Sequence, residues 1–270
     1  MHLSQIWSYS KFDLHRVMMV KIFPFCILTL WLWRAAAARN ATSIGQRIVG
    51  GEVTTISEEP YMVQILNQGT FSCGGCMIRQ RYVLSAAHCF GGTRPADITV
   101  VAGATRLAET GIRRKVSDIF IPPRWNPNTM YMDVAVLKLA FPITDDRVQT
   151  IGLYSGNLNP GMMVKVNGWG RISEGGRISQ QIRSVQVPVI DQDRCRKQYE
   201  DVIYIGKTMF CAGVLGSKDS CSGDSGGPVV FQNSVCGVVS FGVGCARDNF
   251  AGVYTRISEA IDFIRNALTK

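Results

Sequence analysis

The chain is nearly without histidine. Of the three present, only His88 lies beyond residue 47. Imidazole chemistry in the main body therefore falls on one residue, and a multi-histidine metal site is excluded there. Apolar runs are short as well. The longest, residues 17–33, is interrupted by Lys21 and Pro24, whereas a membrane-crossing helix needs about 20 predominantly apolar residues. No lysine/arginine block with interleaved aromatics occurs, so nucleic acid is not expected as a partner. The formal charge of +9 does not alter this. Residues 1–47 hold six basic side chains and one acidic one, leaving 23 basic and 19 acidic groups beyond them. That balance reads as a mildly basic solvated surface. Helix-period patterning is scarce, and no internal repeat is visible. What remains, 46% hydrophobic and 18% charged over 270 residues, is a globular composition with room for one large or two small cores.

Lys11, His15, Arg16 and Lys21 lie before or at the start of the apolar run, and Ala35 to Ala38, which offer small-x-small cleavage sites, follow it. This is the pattern of a secretory signal peptide, residues 1–38, cut within 35–38. An uncleaved membrane anchor is the lesser alternative. Met18 and Met19 are alternative starts that would shorten the leader. Asn40-Ala-Thr42 is the only glycosylation sequon, in a short polar segment, 39–47, that ends at Arg47. Nine cysteines occur, at 26, 73, 76, 89, 195, 211, 221, 236 and 245. Cys26 lies in the leader, leaving an even number. Cys73-Gly-Gly-Cys76 has a metal or redox spacing, but no second such pair or matching histidine pair accompanies it. Behind a leader, disulfides are the better reading, and no metal is expected.

From residue 61 onward the chain reads as short strands between Gly, Pro and Asn. They are expected at 61–66, 77–78, 82–85, 98–101, 134–139, 163–166, 185–190, 229–231, 235–240 and 252–255. Strands at this density indicate an all-β barrel or sandwich. Residues 191–199 read as a short helix capped by Asp191. Ile257, Ala260, Ile261, Ile264, Ala267 and Leu268 form a helical stripe that docks on the core. The turn-rich stretch 141–161 is the expected connection between two halves.

The densest cluster of reactive side chains is Asp219-Ser-Cys-Ser-Gly-Asp-Ser-Gly-Gly-Pro228. Ser225 stands between Asp224 and two glycines, which let backbone approach a substrate closely. The Gly223 and Ser225 amides would converge on one oxyanion. Taken alone, the cluster is also an ordinary surface turn. A serine hydroxyl needs a base within hydrogen-bond reach, and His88, in Ser85-Ala-Ala-His-Cys89, is the one imidazole at hand. The base needs a carboxylate behind it. Asp133 opens the apolar run Asp133-Val-Ala-Val-Leu137 and is the candidate. A buried structural histidine and a strand-end aspartate are the plain alternatives, but neither accounts for the glycine-flanked serine.

These segments, with Arg47-Ile-Val-Gly-Gly51, Gly168-Trp-Gly170, Ser240-Phe-Gly242 and Gly252-Val-Tyr-Thr255, resemble the trypsin-like serine proteases of the chymotrypsin family from Arg47 to the C-terminus. The resemblance implies two six-stranded antiparallel Greek-key barrels and a C-terminal helix, in a protease domain spanning 48–270. It implies that Ser225 attacks the scissile carbonyl, that His88 moves the proton, and that Asp133, supported by Ser240, orients His88. The Gly223 and Ser225 amides would hold the oxyanion. Cleavage after Arg47 would free the Ile48 ammonium to pair with Asp224 and activate a zymogen. Asp219 would sit at the base of the S1 pocket, with Gly242 and Gly252 keeping its walls open, so that Arg or Lys is selected at P1. Arg47 and Arg177-Ile178 would then be sites of self-cleavage. The family pattern pairs Cys73 with Cys89, Cys195 with Cys211, and Cys221 with Cys245. Cys76 and Cys236 are left over, and a Cys76–Cys236 bridge is expected by elimination. Protein or peptide substrates and protein protease inhibitors are the implied partners of a secreted monomer without a cofactor.

Three positions depart from the family. The loop 104–114 has one carboxylate, Glu109, among several arginines, so no calcium site is expected. Phe241 stands where Trp is usual, and Ala251 where Pro is usual. Two other function classes compete. Gly223-Asp-Ser-Gly-Gly227 also fits the esterase elbow, but that fold needs a histidine after the serine, and none follows Ser225. A non-catalytic homologue acting as a binding protein would usually lack a triad member, and none is missing.

Overall fold

A computed structural model describes residues 48–270. The expected signal peptide, the segment 39–47 with Asn40, and Arg47 lie outside the described residues. The described residues form one compact unit. The short strand Glu52–Val53 (β1) leads into six strands: Met62–Asn67 (β2), Thr70–Arg79 (β3), Tyr82–Ser85 (β4), Ile98–Ala102 (β5), Ile112–Phe120 (β6) and Ala135–Leu139 (β7). Their pairing order, β2-β3-β4-β7-β6-β5, closes a barrel, antiparallel throughout. Val63, Ile65, Met77, Val83, Val100 and Leu137 fill it. Side chains alternate across a strand, so Met62 on β2 faces the opposite way, into a second apolar layer with Leu84 and Val136.

The remaining strands are Gly152–Leu153 (β8), Met163–Gly168 (β9), Arg183–Pro188 (β10), Met209–Ala212 (β11), Pro228–Phe231 (β12), Ser234–Phe241 (β13) and Gly252–Arg256 (β14). They form one sheet ordered β1-β10-β9-β12-β13-β14-β11. Beyond β10 the chain returns to β11: Val189 bridges Ala212, and the Ile190 amide donates to the Cys211 carbonyl at 2.8 Å. The sheet thus curls into a second six-stranded ring around Val164, Val166, Val187, Phe210 and Val229. It is not purely antiparallel. The two-residue β8, inside the expected connection 141–161, pairs parallel with β13.

Among the described residues, two α-helices complete the fold. Gln192–Gln198 (α1) begins where the Asp191 carboxylate accepts the amides of Asp193 and Arg194, both at 3.0 Å, a cap of the kind that ends the orphan donors of a helix start. Ile257–Ala267 (α2) buries Ile257, Ala260, Ile264 and Ala267 in the layer between the barrels, beside Trp169, Val134 and Val238. That layer joins residues from both barrels, and the site is built across it.

Three expected disulfides form: Cys73–Cys89, Cys195–Cys211 and Cys221–Cys245. The fourth does not. Cys76 and Cys236 are buried free thiols, and burial raises both above the usual thiol range, Cys236 to about 12. Strand alternation explains it. Val235 shares the inter-barrel layer with Cys76, while Cys236, the next residue, points into the second barrel and donates to the Val229 carbonyl at 3.3 Å.

Candidate active site

His88 is carried by a 3-10 turn, Ala87–Phe90, directly after β4, and the Cys73–Cys89 bridge ties that turn to β3. Asp133 immediately precedes Val134 and β7 and is fully buried. Its Oδ1 accepts the His88 amide at 2.9 Å, and its Oδ2 accepts His88 Nδ1 at 2.8 Å and the Ser240 hydroxyl at 2.5 Å. The Thr255 hydroxyl donates to the Asp133 carbonyl at 2.7 Å. A carboxylate facing Nδ1 requires the proton there, which leaves Nε2 as the free acceptor. The imidazole is therefore oriented to take a proton on its outer side.

Ser225 enters from the second barrel. Its carbonyl accepts the Gly74 amide on β3 at 2.9 Å. Gly226, at φ +77°, lies against Ser85 and Ala86, where an added Cβ would stand 2.2 Å from the Ser85 oxygen. Only glycine permits both that backbone conformation and that approach. The contact seats Ser225 beside the segment that carries His88. No hydrogen bond joins the Ser225 hydroxyl to Nε2, which has the Cys89 sulfur at 3.8 Å. Such contacts commonly tighten only around a substrate. Among the described residues, the Gly223 and Ser225 amides are engaged by no backbone or side-chain acceptor, which leaves both free to donate to a bound group.

Asp224 is fully buried. Its carboxylate accepts the Gly170 amide at 2.7 Å and the Cys221 amide at 2.9 Å, with no cation beside it among the described residues. Burial pushes it up to about 6, against the two amides. Gly168 and Gly170, flanking Trp169, leave the space this carboxylate fills.

A cavity of about 200 Å³ opens beside Ser225, walled by Ser220, Val239, Ser240, Phe241, Gly242 and Gly252. Asp219 stands behind that wall. A Cβ at Gly252 would lie 2.5 Å from Asp219 Oδ1. Oδ2 accepts the Ala246 amide at 3.0 Å, whereas Oδ1 is buried without a hydrogen-bond partner. Burial raises this carboxyl to about 7, partly offset by the Ala246 amide. Phe241 meets Tyr199 edge-on at 5.9 Å, and the Tyr199 hydroxyl donates to the Ala251 carbonyl at 2.6 Å, so both departures from the family pattern belong to one packed unit. A larger open depression, of about 550 Å³ near Gly50–Thr54 and Lys165, lies away from Ser225 and holds no histidine.

Among the described residues, one group of His/Cys/Asp/Glu atoms is close enough to grip a metal ion: Cys73, His88 and Cys89. Two of its three members are bonded to each other. Glu109 caps its own loop, accepting the Thr105 amide at 2.7 Å and the Arg106 amide at 3.1 Å. Sequence reading missed Thr255 and gave Gly168 and Gly170 no role. Their contacts reach across more than fifty residues, which no local motif reveals.

The closed six-stranded barrel and the curled second sheet, with a histidine held on a buried aspartate and Ser225 seated beside the segment that carries that histidine, match the chymotrypsin-like fold of serine peptidases. The sequence model of the trypsin family matches residues 48–264, and the chain belongs to that family. It is 42% identical over 223 residues to seminase of Drosophila melanogaster, covering 81% of this chain and 80% of seminase. It is 36% identical over 239 residues to the vitellin-degrading protease of Bombyx mori, covering 87% and 90%. A bacterial trypsin, from Saccharopolyspora erythraea, is 36% identical over 220 residues, covering 80% and 96%. The protein is a serine endopeptidase acting on protein substrates. Among the described residues, no helix is long and apolar enough to cross a membrane.

Proposed function

We propose that the protein is a secreted zymogen, cut after Arg47, that hydrolyses peptide bonds following Arg or Lys. Residues 1–38 are its signal peptide, 39–47 its activation segment and 48–270 its protease domain, which works as a monomer and is open to protein inhibitors. The observation that carries the specificity is Asp219 Oδ1, buried and unpartnered behind the Gly252 wall of the cavity beside Ser225. A buried carboxylate oxygen without a donor calls for a cationic or strongly donating ligand group.

In this mechanism His88 Nε2 takes the Ser225 proton as Oγ attacks the carbonyl carbon. The imidazolium is stabilised by Asp133, and the oxyanion by the Gly223 and Ser225 amides. His88 then protonates the leaving amine, and water hydrolyses the acyl-enzyme by the same route. Activation follows from Asp224. A buried, unpaired carboxylate is costly, and leaving one member of a buried pair alone costs about 3–5 kcal/mol. The Ile48 ammonium would supply the partner. Two contacts support this. The Val49 carbonyl, on the second residue beyond the cut, accepts the Asp219 amide at 3.2 Å, and Gly50 lies against Ser217 and Lys218. Arg47 fits the enzyme's own specificity, so activation is self-propagating.

The test is hydrolysis of paired chromogenic peptides, Arg or Phe at P1, by protein with Ile48 verified as its N-terminus. The Arg peptide should turn over, the Phe peptide should not, and Ser225→Ala should abolish turnover. Hydrolysis of neither peptide would favour a binding homologue.

A further inference from the structure

Residues 171–178 form a small hairpin closed by the Arg171–Ile178 bridge and by the Ile172 amide on the Arg177 carbonyl at 3.3 Å. Its base lies on the oxyanion segment: the Arg171 amide donates to the Ser222 carbonyl at 2.8 Å, and Ile178 Cδ1 lies 2.7 Å from where a Gly223 Cβ would be. Its tip carries Glu174. That carboxylate reaches the loop that follows the cavity-lining Gly244, accepting the Cys245 amide at 3.1 Å, Arg247 Nε at 3.0 Å and Arg247 Nη2 at 2.5 Å. The residue between the two it holds is Ala246. Ala246 sits at φ +53°, a backbone conformation side-chain-bearing residues seldom adopt, and its amide is the one that donates to Asp219 Oδ2.

We propose that Glu174 is a positioning residue of the specificity pocket: by gripping Cys245 and Arg247 it holds the Ala246 amide on Asp219. The proposal rests on the reading of Asp219 as the P1-binding carboxylate. One carboxylate thereby fixes both neighbours of a strained residue, and the hairpin becomes part of the pocket rather than a loop beside it. The two Arg247 contacts are the fork-on-carboxylate pairing that gives geometric specificity as well as attraction. Those contacts, with the Cys245 amide second, hold Glu174 down at about 2, so the grip is charged throughout the neutral range. Both side chains are about half exposed. Exposed pairs add little to global stability, so losing this one is felt in the pocket before it is felt in the fold.

The probe is 4-aminobenzamidine, a cationic aryl ligand, together with a sulfonyl fluoride that labels Ser225 without needing a P1 cation. Glu174→Ala is expected to weaken 4-aminobenzamidine and raise KM for the Arg peptide by about tenfold, the scale of one hydrogen bond to a charged group. The kcat, the rate of sulfonyl fluoride labelling and the Tm should stay near wild type. Arg247→Ala should reproduce the loss, and the double variant should add nothing to it. Unchanged 4-aminobenzamidine affinity in Glu174→Ala, with wild type binding it, overturns the proposal alone. An equal fall in kcat and labelling also overturns it, since the role would then be general rather than positional. If wild type itself fails to bind 4-aminobenzamidine, the reading of Asp219 falls and the proposal with it.

Discussion

Asp219 makes a quantitative prediction about ligand binding. Its carboxyl is raised to about 7 because burial penalises the charge by more than the backbone amides of Ala246, Ser220 and Gly252 offset. With the pocket empty, the group is therefore about half protonated at neutral pH. A cation in the pocket binds the ionised form, and affinity falls by the fraction of molecules in that form. Binding of 4-aminobenzamidine should be independent of pH above about 8. It should weaken about tenfold by pH 6 and about a hundredfold by pH 5, one proton being released per ligand bound. The sign follows from the direction of the shift: a raised acid pKa holds the proton longer as pH rises, so the cation gains affinity upward through about 7. Fluorescence titration of the cleaved Ser225→Ala protein across pH 5–9 removes turnover from the measurement. Asp219→Asn should bind weakly with no slope over this range. Affinity that is flat from pH 5 to pH 9 in the parent protein would refute the reasoning, because an ordinary carboxylate pKa would mean that Asp219 is not the buried, unpaired group described.

Burial of Asp219 and Asp224 without a cation among the described residues bears on stability as well. Both carboxyls are raised in the folded state, to about 7 and about 6, so the uncleaved chain should lose up to about 4 kcal/mol of stability as pH rises from 5 to 8. Urea unfolding at the two ends of that range measures it, and a midpoint that climbs with pH would contradict it. Gly252→Ala puts a Cβ 2.5 Å from Asp219 Oδ1 and 2.7 Å from the Tyr254 hydroxyl. It should lower kcat/KM for the Arg peptide about a hundredfold, the scale of losing the charge-assisted contact, while sulfonyl fluoride labelling of Ser225 persists. Wild-type kcat/KM in this variant would mean that the P1 side chain does not run past residue 252.

Much of the fold was legible where one face of a strand is buried. Val185–Val187 and Val235–Ser240 alternate or run apolar, and Asp191 marks its helix by its own cap. β6 was not legible. Ile-Arg-Arg-Lys-Val-Ser-Asp-Ile-Phe buries only Val116, and the strand exists because β5 and β7 offer hydrogen bonds on either side. β11 is four buried residues without alternation, too short to signal a period. The serine, its glycines and Asp219 stood out because one ten-residue stretch contains them. The Cys76–Cys236 bridge failed for the opposite reason: an even count of cysteines says nothing about which face of β13 a side chain leaves. Glu174 carried no local signal, since the amide and guanidinium it holds lie more than seventy residues away.

The most direct measurement is the burst of 4-nitrophenol from 4-nitrophenyl 4-guanidinobenzoate, an ester whose acyl group imitates an arginine side chain. Protein cleaved at Arg47 should release one nitrophenol per molecule and retain the guanidinobenzoyl mass on the peptide containing Ser225, whereas the uncleaved chain should give almost none. A stoichiometric burst with the label on another residue, or no burst from protein with a verified Ile48 terminus, would contradict the assignment of Ser225 as nucleophile beside an Asp219 pocket.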